Sequence, residues 1–177
     1  MTSASPSSLA LSIVAVAALA VTVVGCKTPA DASPEPGTSA TVTSAAAPSG
    51  RKMRVTNAPA EGDVDVVVRD AIARATADKR RVVVYVGATW CEPCQRFHHA
   101  AERGELDAKF PDVDLLGFDT DRDNERLASA GYVSRLIPLF ALPGADGRAS
   151  GKQVEGGIKG EGAVGFIAPR LEKMLAE

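Results

Sequence analysis

Residues 87–99 read GATWCEPCQRFHH: two cysteines separated by two residues, two adjacent histidines behind them, and the single tryptophan of the chain directly before them. Three chemistries suit such a cluster. A closed structural zinc site needs four ligands, commonly two cysteine pairs or one pair with well-spaced histidines. The chain has no second pair, and His98 and His99, four and five positions past Cys94, can turn at most one ring toward the sulfurs. Copper needs fewer ligands and stays open as a binding alternative without redox turnover. Packing of two free cysteines in a core is the remaining alternative, but C-x-x-C beside a βαβ pattern reads first as a dithiol that closes to a disulfide. The histidines themselves read as a solvated helix face.

A redox dithiol needs one sulfur to be accessible and ionisable and the other to be enclosed beside it. The flanking pattern supplies both. RVVVYVGA, residues 81–88, is a β-branched run without alternation, as expected of a central strand covered on two faces. A helical pattern follows from Glu92 toward Glu105, with Pro93 suited to a first helical turn. Cys91 then stands at a helix N-terminus, where the dipole and free backbone N–H groups favour its thiolate. Cys94, one turn inward, is placed to resolve a mixed disulfide. Cys91 is the expected nucleophile and Cys94 the resolving thiol.

The remaining elements must frame that junction. Residues 63–80 put Val64, Val67, Val68, Ala71, Ile72 and Ala75 on one helical face. VDLLGFDT, residues 113–120, reads as a second buried strand, and DNERLASAGY as a short helix ending near Gly131. IPLFALPGADGR enters a turn at Asp146 and Gly147, and GKQVEG returns as its hairpin partner. The last helix spans residues 162–175, with Ile167, Leu171 and Met174 on one face and Pro169 expected to kink it or delay its start. The sum is an α/β domain: a mixed central sheet flanked by helices.

The 177 residues, 45% of them hydrophobic, suit one domain with appendages. A net charge of −2 and the lack of a basic stripe with interleaved aromatics exclude a nucleic-acid surface. The third cysteine, Cys26, belongs to the N-terminus. Residues 9–25 are an apolar run sized for a signal-peptide core rather than a membrane span. VVGC, residues 23–26, resembles the lipobox of bacterial lipoproteins, which implies diacylation of Cys26 and a mature chain starting there. No Lys or Arg precedes Gly25, so the α-amino group alone supplies the positive n-region. An uncleaved N-terminal anchor is the alternative, and either reading puts the domain outside the cytoplasm. The Pro, Ala, Ser and Thr of residues 27–50 have almost nothing to bury and read as a flexible tether. The expected organisation is a signal peptide over 1–25, a tether over 26–54 and a folded domain over 55–177.

The motif and its surroundings resemble the thioredoxin-like proteins over roughly residues 60–177. VVVYVGATWCEPC is similar to that family's central strand and W-C-x-x-C motif, YVSRLIPLFAL to its cis-proline segment, and DGRASGKQVEGG to its final hairpin and glycine turn. FDTDRDNERLASAGYVSRLIP keeps the strand, helix and proline in the family's order. The resemblance implies a thioredoxin fold, a redox disulfide between Cys91 and Cys94, and a cis peptide at Ile137 and Pro138 close to Cys91. It further implies that substrate docks against Trp90, Ile137 and Pro138. Two departures shape the site. Glu92 and Pro93 replace the usual Gly-Pro, as in some exported thiol reductases, whose central insertion has no room between Cys94 and Pro138 here. The buried carboxylate expected six positions before the first cysteine is replaced by Tyr85, so Cys94 must exchange its proton through water, Glu92 or another route.

A carboxylate at Glu92, where strong oxidants place a cation, raises the thiol pKa and points to a reductant. The expected protein is thus an exported, lipid-anchored thiol-disulfide oxidoreductase of the periplasm or cell envelope, acting on disulfide-bearing proteins. Work as a reductant in an oxidising compartment implies a membrane electron-transfer protein as electron source, and no cofactor. Two other signals carry less. Asp119, Asp121 and Asp123 are spaced like the start of a calcium loop, but Asn124 and Ala130 occupy the positions that need Gly and Glu, so helix capping is the better reading. GGIKGEG, residues 156–162, lacks the dinucleotide fingerprint and reads as a turn.

Overall fold

The computed structural model describes residues 51–177; the apolar run, Cys26 and the tether over 27–50 lie outside the described residues. The described residues form a five-stranded sheet with strand order β1-β3-β2-β4-β5. Its strands are β1 (Arg54–Asn57), β2 (Arg81–Gly87), β3 (Val113–Asp119), β4 (Leu139–Pro143) and β5 (Ala149–Glu155). The β1, β3 and β2 strands run parallel, while β4 is antiparallel to β2, and β5 to β4. Four helices cover the sheet: α1 (Val64–Ala77), α2 (Glu92–Glu102), α3 (Thr120–Ser129) and α4 (Ala163–Ala176).

Alternation along β2 explains why its sequence is apolar throughout. Val83 and Tyr85 join a core with α2 and α4, around Phe97, Phe140, Ile167 and Leu171. Val82, Val84 and Val86 join the opposite core with α1 and α3, around Val64, Val68, Phe118 and Leu127. A strand flanked on both faces has no polar side to show. The mixed sheet expected from the sequence is therefore present, with its helices on two faces.

Three boundaries differ from the sequence reading. Met53 is buried and its N–H donates to Asp107 Oδ1 at 3.0 Å, and Arg54 opens β1, so both belong to the fold and not to the tether read over 26–54. Helix α2 stops at Glu102 rather than Glu105, because Gly104 takes φ +77° and turns the chain out of the helix. Helix α4 runs through Pro169. The proline removes only the hydrogen bond to Gly165, four residues earlier and exposed, whose carbonyl is open to solvent.

Among the described residues no helix is long and apolar enough to cross a membrane.

Candidate redox site

Strand β2 delivers the chain to the junction and α2 starts one residue after Cys91, which is the helix N-cap. Its Sγ accepts the N–H of Cys94 at 3.3 Å, the place a capping oxygen would normally take. Cys91 and Cys94 are joined by a disulfide with S–S 1.97 Å and Cα–Cα 5.2 Å, and both are buried, at 4% and 2% exposure. Pro93, in the first turn, is buried and braces the loop that follows β5: a Cβ on Gly157 would lie 2.8 Å from the Pro93 Cβ. Only glycine permits that approach.

Glu92 is held from two sides. Its Oε1 accepts from Arg96 Nε at 2.9 Å and from the Gly160 N–H at 3.1 Å. The Arg96 bond first, and the Gly160 N–H second, hold its carboxyl below the usual glutamate range. The negative charge expected to act on Cys91 is thus already shared with a guanidinium and a backbone dipole, which weakens its field at the sulfur. The same carboxylate ties the start of α2 to the glycine loop before α4.

Trp90 is 67% exposed, and its indole N–H donates to Asp121 Oδ2 at 2.8 Å. The Ile137–Pro138 peptide is cis. Pro138 directly precedes the cross-strand pair Leu139–Val86, so it stands at the end of the sheet from which β2 leads into Cys91. Its carbonyl accepts the Gly156 N–H at 2.8 Å, and Ile137 packs on the core cluster that contains both cysteines. Exposed Leu136 adjoins this segment.

Tyr85 reaches under the first turn of α2, its hydroxyl donating to the Cys94 carbonyl at 3.3 Å. Gly87 makes this possible, since a Cβ there would lie 2.5 Å from the Tyr85 oxygen. Burial pushes the phenol well above its ordinary range, so Tyr85 acts as a fixed hydrogen-bond donor and not as an acid or base near neutrality. His98 is half-buried with Nδ1 3.3 Å from Glu102 Oε1, and His99 is exposed.

The three acidic residues spaced like a calcium loop go to three different tasks. Asp119 caps α3, accepting the N–H groups of Asp121 and Arg122; Asp121 meets Trp90; Asp123 is fully buried against Arg122 and Arg126. The roles of Asp121, Asp123 and the Gly157–Gly160 contacts escaped the sequence reading. Only the glycine density of residues 156–162 signalled a close backbone approach.

Because Trp90 is the single tryptophan, its tether to Asp121 is directly observable. Asp121→Ala should lower the steady-state fluorescence anisotropy of the indole while changing unfolding free energy by no more than about 1 kcal/mol, as the bond is solvent-exposed. Unchanged anisotropy would mean that packing, not the carboxylate, holds the ring.

A disulfide capping a helix at the end of a parallel strand, with a cis-proline segment entering the neighbouring antiparallel strand, defines a thiol-disulfide oxidoreductase site on a thioredoxin fold. No family model matches the chain. A relative does: the chain is 34% identical over 96 residues to thioredoxin Asp f 28 of Aspergillus fumigatus, a match covering 54% of this chain and 84% of the relative. The chain belongs to the thioredoxin family. Among solved structures it is similar to thioredoxin NaTrxh of Nicotiana alata, with 22% identity over 72% of this chain and 95% of that one, TM-score 0.44. The short form of spinach chloroplast thioredoxin f gives 23% identity over 70% and 92% of the two chains, TM-score 0.44.

Proposed function

We propose that the protein is an exported, lipid-anchored protein-disulfide reductase, in which Cys91 attacks the substrate disulfide and Cys94 resolves the mixed disulfide. The observation that carries the reductase reading is the group between the two cysteines: a carboxylate, Glu92, and a proline, with no cation that could stabilise a thiolate there. A thiolate that lacks this extra cation, and has only the helix N-terminus to stabilise it, makes the dithiol a better electron donor, because the oxidised form is then relatively favoured. Trp90, Ile137 and Pro138 form the docking surface for the substrate chain. Export and anchoring are supported by the apolar run over residues 9–25 ending in VVGC at Cys26. A reductant in an oxidising compartment draws its electrons from a membrane electron-transfer protein.

Equilibration with a glutathione redox buffer tests the direction. The expected potential lies near the thioredoxin value of about −270 mV, far from the −120 mV of a strong oxidant. Glu92→His should raise it by roughly 30–60 mV, one to two tenfold steps in the exchange constant. Glu92→Gln separates charge from shape, since it removes the carboxylate without adding a cation, and should raise the potential less. A wild-type potential in the range of the strong oxidants would overturn the reductase reading.

A further inference from the structure

We propose that His98 is the proton carrier for Cys94, working through the cleft behind the disulfide and oriented by Glu102. The inference rests on the thiol-disulfide exchange proposed above and names the group that replaces the missing buried carboxylate.

Resolution requires Cys94 to lose its proton, and thiols enclosed by apolar groups ionise poorly unless a base is near. Two titratable side chains at the junction, Tyr85 and Glu92, are already committed. The Tyr85 hydroxyl donates to the Cys94 carbonyl, and Glu92 is bound by Arg96 and the Gly160 N–H. The cleft offers another path. It encloses about 360 Å³ and is lined by Tyr85, Gly87, Cys94, His98 and His99. That is room for several waters beside Cys94, a residue otherwise shut off from solvent. Gly87 keeps this space open by carrying no side chain next to the Tyr85 ring.

Cys94, His98 and Glu102 recur every four residues along α2 and therefore form one stripe. Cys94 and His98 both line the cleft, so water within it can connect them. The Glu102 carboxylate lies 3.3 Å from Nδ1, where it stabilises the ring once protonated, and Nε2 is the nitrogen left clear of it. His99 lines the same cleft but is the more exposed of the two rings. Other charged groups face the same region and are occupied. From the β3–α3 junction, Asp119 caps α3 and Arg122 pairs with Asp123. From the β1 side, Asp107 accepts the Met53 N–H, while Lys52 lines a separate neighbouring cleft that also borders His98.

In the mixed disulfide, the Cys94 proton passes through a cleft water to His98 Nε2, and the Cys94 thiolate attacks Cys91 Sγ. The Cys91–Cys94 bond forms, the bond from Cys91 to the substrate sulfur breaks, and the substrate leaves as a thiolate that is protonated from solvent. The imidazolium then returns its proton to water. Two electrons have passed from the dithiol to the substrate disulfide.

The test is single-turnover oxidation of the reduced full-length chain by saturating insulin, followed by Trp90 fluorescence from pH 5.5 to 9. The wild-type rate should rise at lower pH than that of a reaction limited by an unassisted thiol. His98→Gln should be slower by about 10²-fold at pH 7, with its rise displaced toward the thiol range. Imidazole added to His98→Ala should restore part of the rate, which a purely structural role would not allow. Alkylation of Cys91 by iodoacetamide should proceed equally in wild type and His98→Gln, placing the defect at Cys94. Glu102→Gln should show an intermediate loss. If wild type reduces insulin and His98→Gln matches it in rate and pH profile, the proton-carrier assignment fails alone. If wild type does not reduce insulin at all, the reductase reading itself fails.

Discussion

Cys91→Ser is expected to abolish insulin reduction, by roughly 10³-fold or more, whereas Cys94→Ser is expected to complete the first attack and stop there as a stable mixed disulfide. The asymmetry follows from position. Cys91 is the N-cap of α2, so its sulfur faces the unpaired N–H groups of the first turn and already accepts one of them, from Cys94. A thiolate formed there gains a hydrogen bond and the positive end of the dipole. Both sulfurs are buried in the disulfide, but Cys94 stands inside the first turn, backed by Tyr85, and lacks the N-cap position that Cys91 holds. Its reach is limited to the neighbouring sulfur, which is what resolution needs. Non-reducing mass spectrometry of Cys94→Ser mixed with oxidised insulin should find one substrate chain covalently bound per protein. Equal insulin reduction by Cys91→Ser and wild type would remove the nucleophile from the mechanism.

The redox junction was legible because local rules and long-range packing agree there. A seven-residue β-branched run must be central in a sheet, and a proline two residues past a cysteine fits only a first helical turn. Strand β1 was illegible for the opposite reason. Its four residues, RVTN, are mostly exposed and gain their strand geometry only from pairing with β3, a contact whose partner lies about 60 residues away. Glu92 shows a further limit. Its residue type and position between the cysteines were readable, but its two partners include a backbone N–H from the loop before α4, which no periodicity could place. The charge argument for a reducing site therefore needs the correction the geometry gives: a partly neutralised carboxylate still withholds a cation from the dipeptide, yet repels a thiolate less than an isolated one.

Asp123→Ala should be strongly damaging, lowering unfolding free energy by about 2–3 kcal/mol. The carboxylate is fully buried, but Arg122 and Arg126 keep 46% and 19% of their side chains exposed and regain part of the loss from water. The side chain is fully buried, and its two oxygens accept from Arg122 at 2.8 Å, from Arg126 at 3.0 Å and from the Asp119 N–H at 2.9 Å. Without it, two guanidinium groups lose their counter-charge. The Arg126 guanidinium, 5.5 Å from the Phe118 ring centroid, also ties α3 to the Gly62 and Pro59 carbonyls, so the whole corner loosens. In urea this corresponds to a midpoint lower by roughly 1–2 M. The pH dependence has a definite sign. Burial alone would push the Asp123 carboxyl up, but the bonds from Arg122, the Asp119 N–H and Arg126 outweigh it and hold the group below the usual aspartate range. A carboxyl depressed in the folded state stabilises fully above its unfolded value, near 3.9, and loses that contribution as pH falls through its lower folded value. The difference between wild type and Asp123→Asn should therefore be constant from pH 5 to 7 and shrink below pH 4. Because Asp121, two residues away, holds Trp90, Asp123→Ala should also free the indole and, on the docking role proposed for that ring, slow insulin reduction while both cysteines remain intact. A midpoint and a reduction rate both equal to wild type would show that this buried charge neither stabilises the corner nor sets the position of the ring beside Cys91.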